Sequence, residues 1–169
     1  MVALKNLVLD ASVVYKWVSY EKEDLEKALA LREMCLSDED IMVFVPAHFH
    51  SEISNIVLRF FPKEYLQFMS DLFRSKFIVC HLTLELAGIC KNLIKKYPHI
   101  SFYDAFYHAL AIEKGGVFIT ADKKYYQTVK KEGNILLLKD FNGPVEVAWT
   151  EYKGGNYLTS EKLKKKYRL

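Results

Sequence analysis

Residues 101–122 read SFYDAFYHALAIEKGGVFITAD. From Ser101 to Lys114 almost every position is apolar over a length that suits a helix, and Gly115-Gly116 then stops it. Val117–Ile119 is a short β-prone run, and Asp122 opens another helix behind it. Within Phe102–Ile112 the only polar side chains apart from tyrosine hydroxyls are Asp104 and His108, so this helix is expected to be buried nearly all round. A helix covered on every side that feeds an apolar strand belongs inside a layered α/β structure.

The rest of the chain agrees. Leu7–Leu9 is an apolar run halted by Asp10, with a helix expected over Ala11–Val18 and an amphipathic one over Glu21–Leu36. Ile41–Val45 reads as a buried strand ending at Pro46, and Phe49, Ile53, Ile56, Val57 and Phe60 stripe a helix over Ala47–Phe60. A helix is expected from Pro62 to about Ser75, a strand at Phe77–Cys80 and a helix from Thr83 to Tyr97, which Pro98 ends. Gly133 closes the helix opened by Asp122, Ile135–Leu138 forms a fifth strand, and Asn142-Gly143-Pro144 marks a turn. Strands that read as continuous apolar runs and alternate with helices predict a parallel sheet covered on both faces, the three-layer α/β/α class. Ligands bind beyond the carboxyl ends of such strands, which directs attention to the residues after Leu9, Val45 and Ile119.

A chain of 169 residues and 19.7 kDa suits one domain, expected over residues 1–145, with 146–169 as an extension carrying a basic tail. Hydrophobic residues at 51% and charged residues at 27% supply a core and exclude disordered and low-complexity classes. No apolar run approaches the roughly 20 residues that cross a bilayer, and the N-terminus lacks the pattern of a signal peptide, so a cytoplasmic location without membrane attachment is expected. Cys35, Cys80 and Cys90 have neither C-x-x-C spacing nor a nearby His cluster and are expected to be reduced and mostly buried; a structural zinc is not expected. Net charge is +3, but residues 153–169 hold six basic side chains and one acidic one, leaving the first 152 residues at −2.

Four acids stand out. Asp10 and Asp122 follow apolar strands, which the parallel arrangement places at one edge of the sheet. Each also suits a helix N-cap, Ser101 and Asp104 suit a capping box, and Glu52 suits a solvated helix flank. Asp104 is the more pointed case, because a carboxylate in so apolar a helix costs several kcal/mol, on the order of a buried charge, unless a partner neutralises it. His108 one turn on is such a partner, or else a neutral core histidine bonded to backbone. If the four acids converge, each close pair repels by about 3 kcal/mol at about 5 Å and an effective dielectric of about 20. A set of oxygen donors without thiolates then favours Mg²⁺ or Mn²⁺, and phosphoryl transfer or phosphodiester hydrolysis as the chemistry.

At these residues the chain resembles a PIN-domain ribonuclease of the VapC toxin type. LVLDASVVYKW is similar to the first motif of that family, with Asp10 as its first acid and Ser12 near the metal. SEISNIVLR is similar to the second, with Glu52 and Asn55; SFYDAFYHALAIEKG to the third, with Asp104; and VFITADKKYYQ to the fourth, with Thr120 and Asp122. The likeness runs from residue 4 to about 140, and its most specific part is the spacing of 18 between Asp104 and Asp122. It implies a five-stranded parallel sheet in the order 3-2-1-4-5, a homodimer, often an antitoxin that blocks the site, and Mg²⁺- or Mn²⁺-dependent endoribonuclease activity leaving a 5′-phosphate. Under this resemblance Asp10, Glu52, Asp104 and Asp122 hold metal, while Ser12, Asn55 and Thr120 orient acids or waters or serve as ordinary caps and turns. Arg59 and the tail residues Lys162, Lys164, Lys165, Lys166 and Arg168 are candidates for RNA contact, the tail also reading as a solvated terminus.

Three other classes compete. A phosphatase with a strand-end Asp nucleophile wants an acid two residues after Asp10, where Ser12 stands. A receiver-like domain wants a phosphoacceptor Asp after the third strand, where Cys80 is followed by His81. A PIN-like RNA-binding or scaffold protein without activity is the non-enzymatic alternative.

Overall fold

A computed structural model describes residues 6–143. The chain runs through β1 (Asn6–Leu9), α1 (Ala11–Ser19), α2 (Leu25–Ser37), β2 (Met42–Pro46), α3 (Phe49–Phe60), α4 (Tyr65–Phe73), β3 (Phe77–Cys80), α5 (Leu84–Lys96), α6 (Phe102–Glu113), β4 (Val117–Thr120), α7 (Lys123–Val129) and β5 (Ile135–Leu137). The sheet is five-stranded in the order β3-β2-β1-β4-β5, and every pairing in it is parallel, with Leu7 opposite Val43 on one side and Val117 on the other. Strand formation follows from the apolar runs: Leu7, Val8 and Leu9 are wholly buried, as is Ile119.

Right-handed crossovers decide the layers. From β1 the chain steps to β2 and β3, then reverses to β4 and β5, so helices α1–α4 and α5–α7 cover opposite faces. The reversal falls between β1 and β4, the point at which ligands of open α/β sheets gather. Helices that lead out of a strand begin at its carboxyl end, and α6, which leads into β4, begins at that edge as well.

Local chemistry marks the helix starts. Asp10 accepts from the Ser12 amide, Thr83 from Leu86, Ser101 from Asp104 and Asp122 from Tyr125. Helix α6 ends at Gly115, whose φ of 58° lies in the left-handed region. Boundaries depart from the sequence reading in two places. Helix α2 begins at Leu25, because Tyr20 and Asp24 take left-handed conformations and the buried Lys16 ammonium reaches back to the Glu21 carboxylate and the Glu23 carbonyl, fixing a turn there. Strand β5 stops at Leu137, after which Leu138–Asp140 winds into a 3-10 turn that buries Leu138 and leads to the buried Phe141. Covering is also incomplete at the β3 edge, where Ile78 and Val79 are exposed.

His108 is fully buried on α6, its Nε2 2.8 Å from the Gly133 carbonyl and its Nδ1 3.3 Å from the Tyr125 hydroxyl. It is the core histidine of the two readings, and burial holds its pKa below the ordinary value. Cys35 and Cys90 are buried, and Cys80 is half-buried.

Gly116 lies against the first strand: a Cβ there would stand 2.3 Å from the Asn6 carbonyl oxygen. Gly116→Ala must therefore push β1 away from the end of α6, an overpacking cost of about 1–3 kcal/mol. Thermal melting should show a midpoint lower by about 2–4 °C per kcal/mol, with the folded spectrum retained.

Candidate metal centre at the carboxyl edge of the sheet

Asp10 leaves β1 at the reversal point. Its amide donates to the Ile119 carbonyl across to β4 at 3.0 Å, which fixes the backbone, and its side chain is buried. One carboxylate oxygen accepts from the Ser12 amide at 3.3 Å, and the other accepts from the buried Thr120 hydroxyl at the end of β4. Burial raises the pKa of Asp10 above its ordinary value, against the lowering effect of the Thr120 and Ser12 bonds, and Asp104 raises it further. Ser12 ties the same corner from the other side, its hydroxyl accepting from the Ala121 amide at 3.1 Å.

Glu52 is on the first turn of α3, where the helix start favours an acid. Its Oε2 accepts from the Tyr107 hydroxyl at 2.7 Å, a contact from α3 to α6. Burial pushes its pKa up to about 6, with Asp10 and Asp104 adding repulsion and the Tyr107 bond opposing. His48 stands 3.9 Å from the same oxygen, its ring centroid 5.2 Å from Tyr107, 5.6 Å from Phe106 and 5.0 Å from Tyr103. The His48 Nε2 is buried without a hydrogen-bond partner. Its pKa is lowered by burial, with Asp104 pulling the other way.

Asp104 corrects an expectation. The apolar run around it suggested a buried carboxylate, but the first turn of α6 projects past the core and leaves Asp104 half-buried, with burial beginning at Ala105. Periodicity cannot register where along its length a helix leaves the core. Asp104 and Ser101 form a reciprocal cap: the Asp104 amide donates to the Ser101 hydroxyl at 3.1 Å, and that hydroxyl donates to the carboxylate at 2.6 Å.

Asp10, Glu52 and Asp104 thus act on one another electrostatically. Asp122 is at the same edge but exposed, its carboxylate capping α7 through the Tyr125 amide at 2.9 Å and its own amide donating to Thr120 at 3.0 Å. Thr120 is therefore the link between Asp10 and Asp122. As the side chains stand, no three His, Cys, Asp or Glu among the described residues grip a single point. Asp104 and Asp122 are turned onto helix-start donors, and like charge opposes closer approach.

Asn55 is exposed, one turn beyond Glu52, and lines a groove between α3 and α4 with His50, Ser54, Leu58, Tyr65 and Phe73. Arg59 is exposed on the last turn of α3, about 10 Å along the axis from Glu52. Lys162, Lys164, Lys165, Lys166 and Arg168, with the rest of the expected extension, lie outside the described residues. Sequence reasoning missed Tyr107 and His48 as neighbours of the acids. Their signals were the i, i+3 spacing from Asp104 and the i, i+4 spacing to Glu52, which an apolar helix hides.

The donor set suits a hard divalent cation. Two carboxylates carry raised pKa values, a third repels both, and no Lys or Arg among the described residues bonds to any of the three. A cation would supply the missing charge.

A doubly crossed five-stranded sheet of this order, with acids gathered at its reversal point, is the PIN-like three-layer fold. A model of the PIN domain matches residues 7–131, and the chain belongs to the PIN-domain family. Among curated proteins none matches the sequence. Similar solved structures include FitAcB from Neisseria gonorrhoeae, with a TM-score of 0.60 and 15% identity over 80% of this chain and 99% of that one. A toxin-antitoxin complex from Klebsiella pneumoniae gives a TM-score of 0.57 and 15% identity over 78% and 97%. Mycobacterium tuberculosis VapC20, described as a toxin that cleaves the sarcin-ricin loop, gives 0.56 and 16% over 72% and 93%.

The raised pKa of Glu52 has a pH signature. Its protonated form is favoured by the fold, so the contribution to stability is present below the ordinary value of 4.5 and is lost as pH rises through about 6. With EDTA present, urea midpoints should fall across that window as Glu52 ionises beside Asp10, Asp104, the Tyr107 hydroxyl and His48. Glu52→Gln should flatten the fall, and the size is moderated because the side chain is 37% exposed. A profile as steep in the variant as in the parent would remove Glu52 as its source.

Proposed function

We propose that this chain is a Mg²⁺- or Mn²⁺-dependent endoribonuclease and the toxin of a toxin–antitoxin pair. The observation that carries the reading is the mutual repulsion of Asp10, Glu52 and Asp104 at the sheet's reversal point without a basic partner. Membership of the PIN-domain family and the likeness to toxins and toxin–antitoxin complexes support it. Asp10, Glu52 and Asp104 would hold the ion, with Asp122 turning from its cap to join them. When bound, the ion would lower the pKa of a water for in-line attack and offset charge on the phosphodiester and its leaving 3′-oxygen.

The chain's own residues do the positioning. Thr120 and the Ser12 amide hold the two oxygens of Asp10, and the Tyr107 hydroxyl holds Glu52, so neither carboxylate reorganises when substrate arrives. Asn55 and Arg59 extend along α3 away from the acids, placed to meet a strand that continues in that direction. The basic residues of 162–168 would add phosphate contacts.

A homodimer is part of the reading. Leu58, Phe60, Leu66 and Phe73 on α3 and α4 leave large apolar side chains in water, an expense that a second copy would relieve. Light scattering at micromolar concentration should report twice the monomer mass, and a monomer would remove this element. An antitoxin would be a further partner.

The activity is tested by mapping RNA ends after brief expression. Parent protein should yield 5′-phosphate ends that Asp10→Asn and Asp104→Asn lose while remaining folded, and EDTA should stop the purified enzyme. Cleavage that persists in both variants, or in EDTA, would refute the assignment.

A further inference from the structure

We propose that Phe102 and Tyr103, on the first turn of α6, form a stacking platform that holds an unpaired nucleobase beside the acidic cluster. The chain would then select single-stranded RNA at the position it cuts. The inference rests on the nuclease reading and adds to it the conformational class of substrate.

Helix α6 buries every residue from Ala105 to Ala111, yet leaves Phe102 40% and Tyr103 61% exposed. Both rings immediately precede Asp104. They are not loose. Phe102 packs 6.1 Å from Phe106 and 6.3 Å from Tyr103, and Tyr103 packs at 5.0 Å on His48. His48 packs in turn on Tyr107, whose hydroxyl bonds Glu52. A run of contacts Tyr103–His48–Tyr107–Glu52 therefore fixes an exposed ring relative to a proposed metal ligand.

Electrostatics makes such a platform useful. The acids repel a phosphate backbone, and no basic side chain among the described residues bonds to Asp10, Glu52 or Asp104. Stacking carries no charge penalty and tolerates any base, because every base has a π-face. A base within a duplex has both faces covered by its neighbours, so only an unpaired or extruded one can lie on these rings. Two large rings kept in water next to the carboxylates, tied to them and charge-free, suit a nucleobase flanking the scissile phosphate.

The test uses full-length protein carrying Asp10→Asn to prevent cleavage, in Mg²⁺, with fluorescence anisotropy of a labelled 12-nucleotide unpaired RNA. The same RNA is compared with single abasic sites at successive positions and as a blunt duplex. Adding Tyr103→Leu should weaken binding of the unpaired strand about 10-fold and leave the duplex unchanged, whereas Tyr103→Phe should keep parental affinity. One abasic position should cost the parent a similar factor and cost the Tyr103→Leu protein nothing more. Phe102→Leu should act in the same sense, and both rings are exposed enough for leucine to be accommodated in the fold. Equal affinity of the Leu variants and parent for the unpaired strand overturns the platform, as does loss of binding only toward a protein partner. Stacking in the absence of cleavage by the native sequence would instead sink the nuclease reading and leave the platform standing.

Discussion

A carboxylate held under cover at the point where the chain reverses direction governs this molecule. Asp10 cannot be moved to solvent, because its backbone amide bonds β4 and its side chain is fixed by Ser12 and Thr120. Its burial raises the cost of ionisation, and Glu52 and Asp104 raise it again. The sheet, the two crossovers and the helix starts all serve to keep these charges near one another, against their repulsion. Such an arrangement persists when the surrounding core over-determines it, and here that core includes the wholly buried Leu7, Val8, Leu9 and Ile119.

Polar groups around the acids divide into two kinds. Thr120, Ser12 and Tyr107 give fixed donors to Asp10 and Glu52, so those carboxylates are set before any ligand arrives. Asp104 and Asp122 sit on helix-start donors that can exchange partners, and both are more open to water. A site with two rigid and two adjustable acids can admit an ion without repacking the core. The hinge of that adjustment is a cap bond, worth about 1 kcal/mol, which is small beside the electrostatic gain of placing a divalent cation among carboxylates.

Aromatic residues link this site to the surface. Tyr107 stacks on Phe118 in the core at 5.5 Å and bonds Glu52 at its tip, so one side chain joins the apolar interior to the charged edge. His48 extends the chain of rings outward to Tyr103. The histidine on α6 has the opposite fate: His108 is spent on a backbone carbonyl in the interior and stays away from the acids.

Apolar periodicity, glycine stops and strand-end acids were enough to establish the layered parallel fold, because burial of an apolar run is a local property of the run. The same reading located Asp10, Thr120 and Asp122, since a residue that follows a strand is fixed to an edge by the strand itself. Strand order came from resemblance and was seen only when the sheet was assembled, as pairing across β1 joins residues more than a hundred positions apart. Asp104 defeated the pattern: nothing in FYDAFYHALAI marks the turn at which α6 emerges from the core. Tyr107 and His48 were hidden for a related reason, because a hydroxyl or imidazole on an apolar stripe acquires its role from the carboxylate that another helix brings to it. Sequence decides which side chains face inward; only the packing of α3 against α6 over β1 decides which charges must share the same few ångströms, because repulsion depends on distance in space and not on position in the chain.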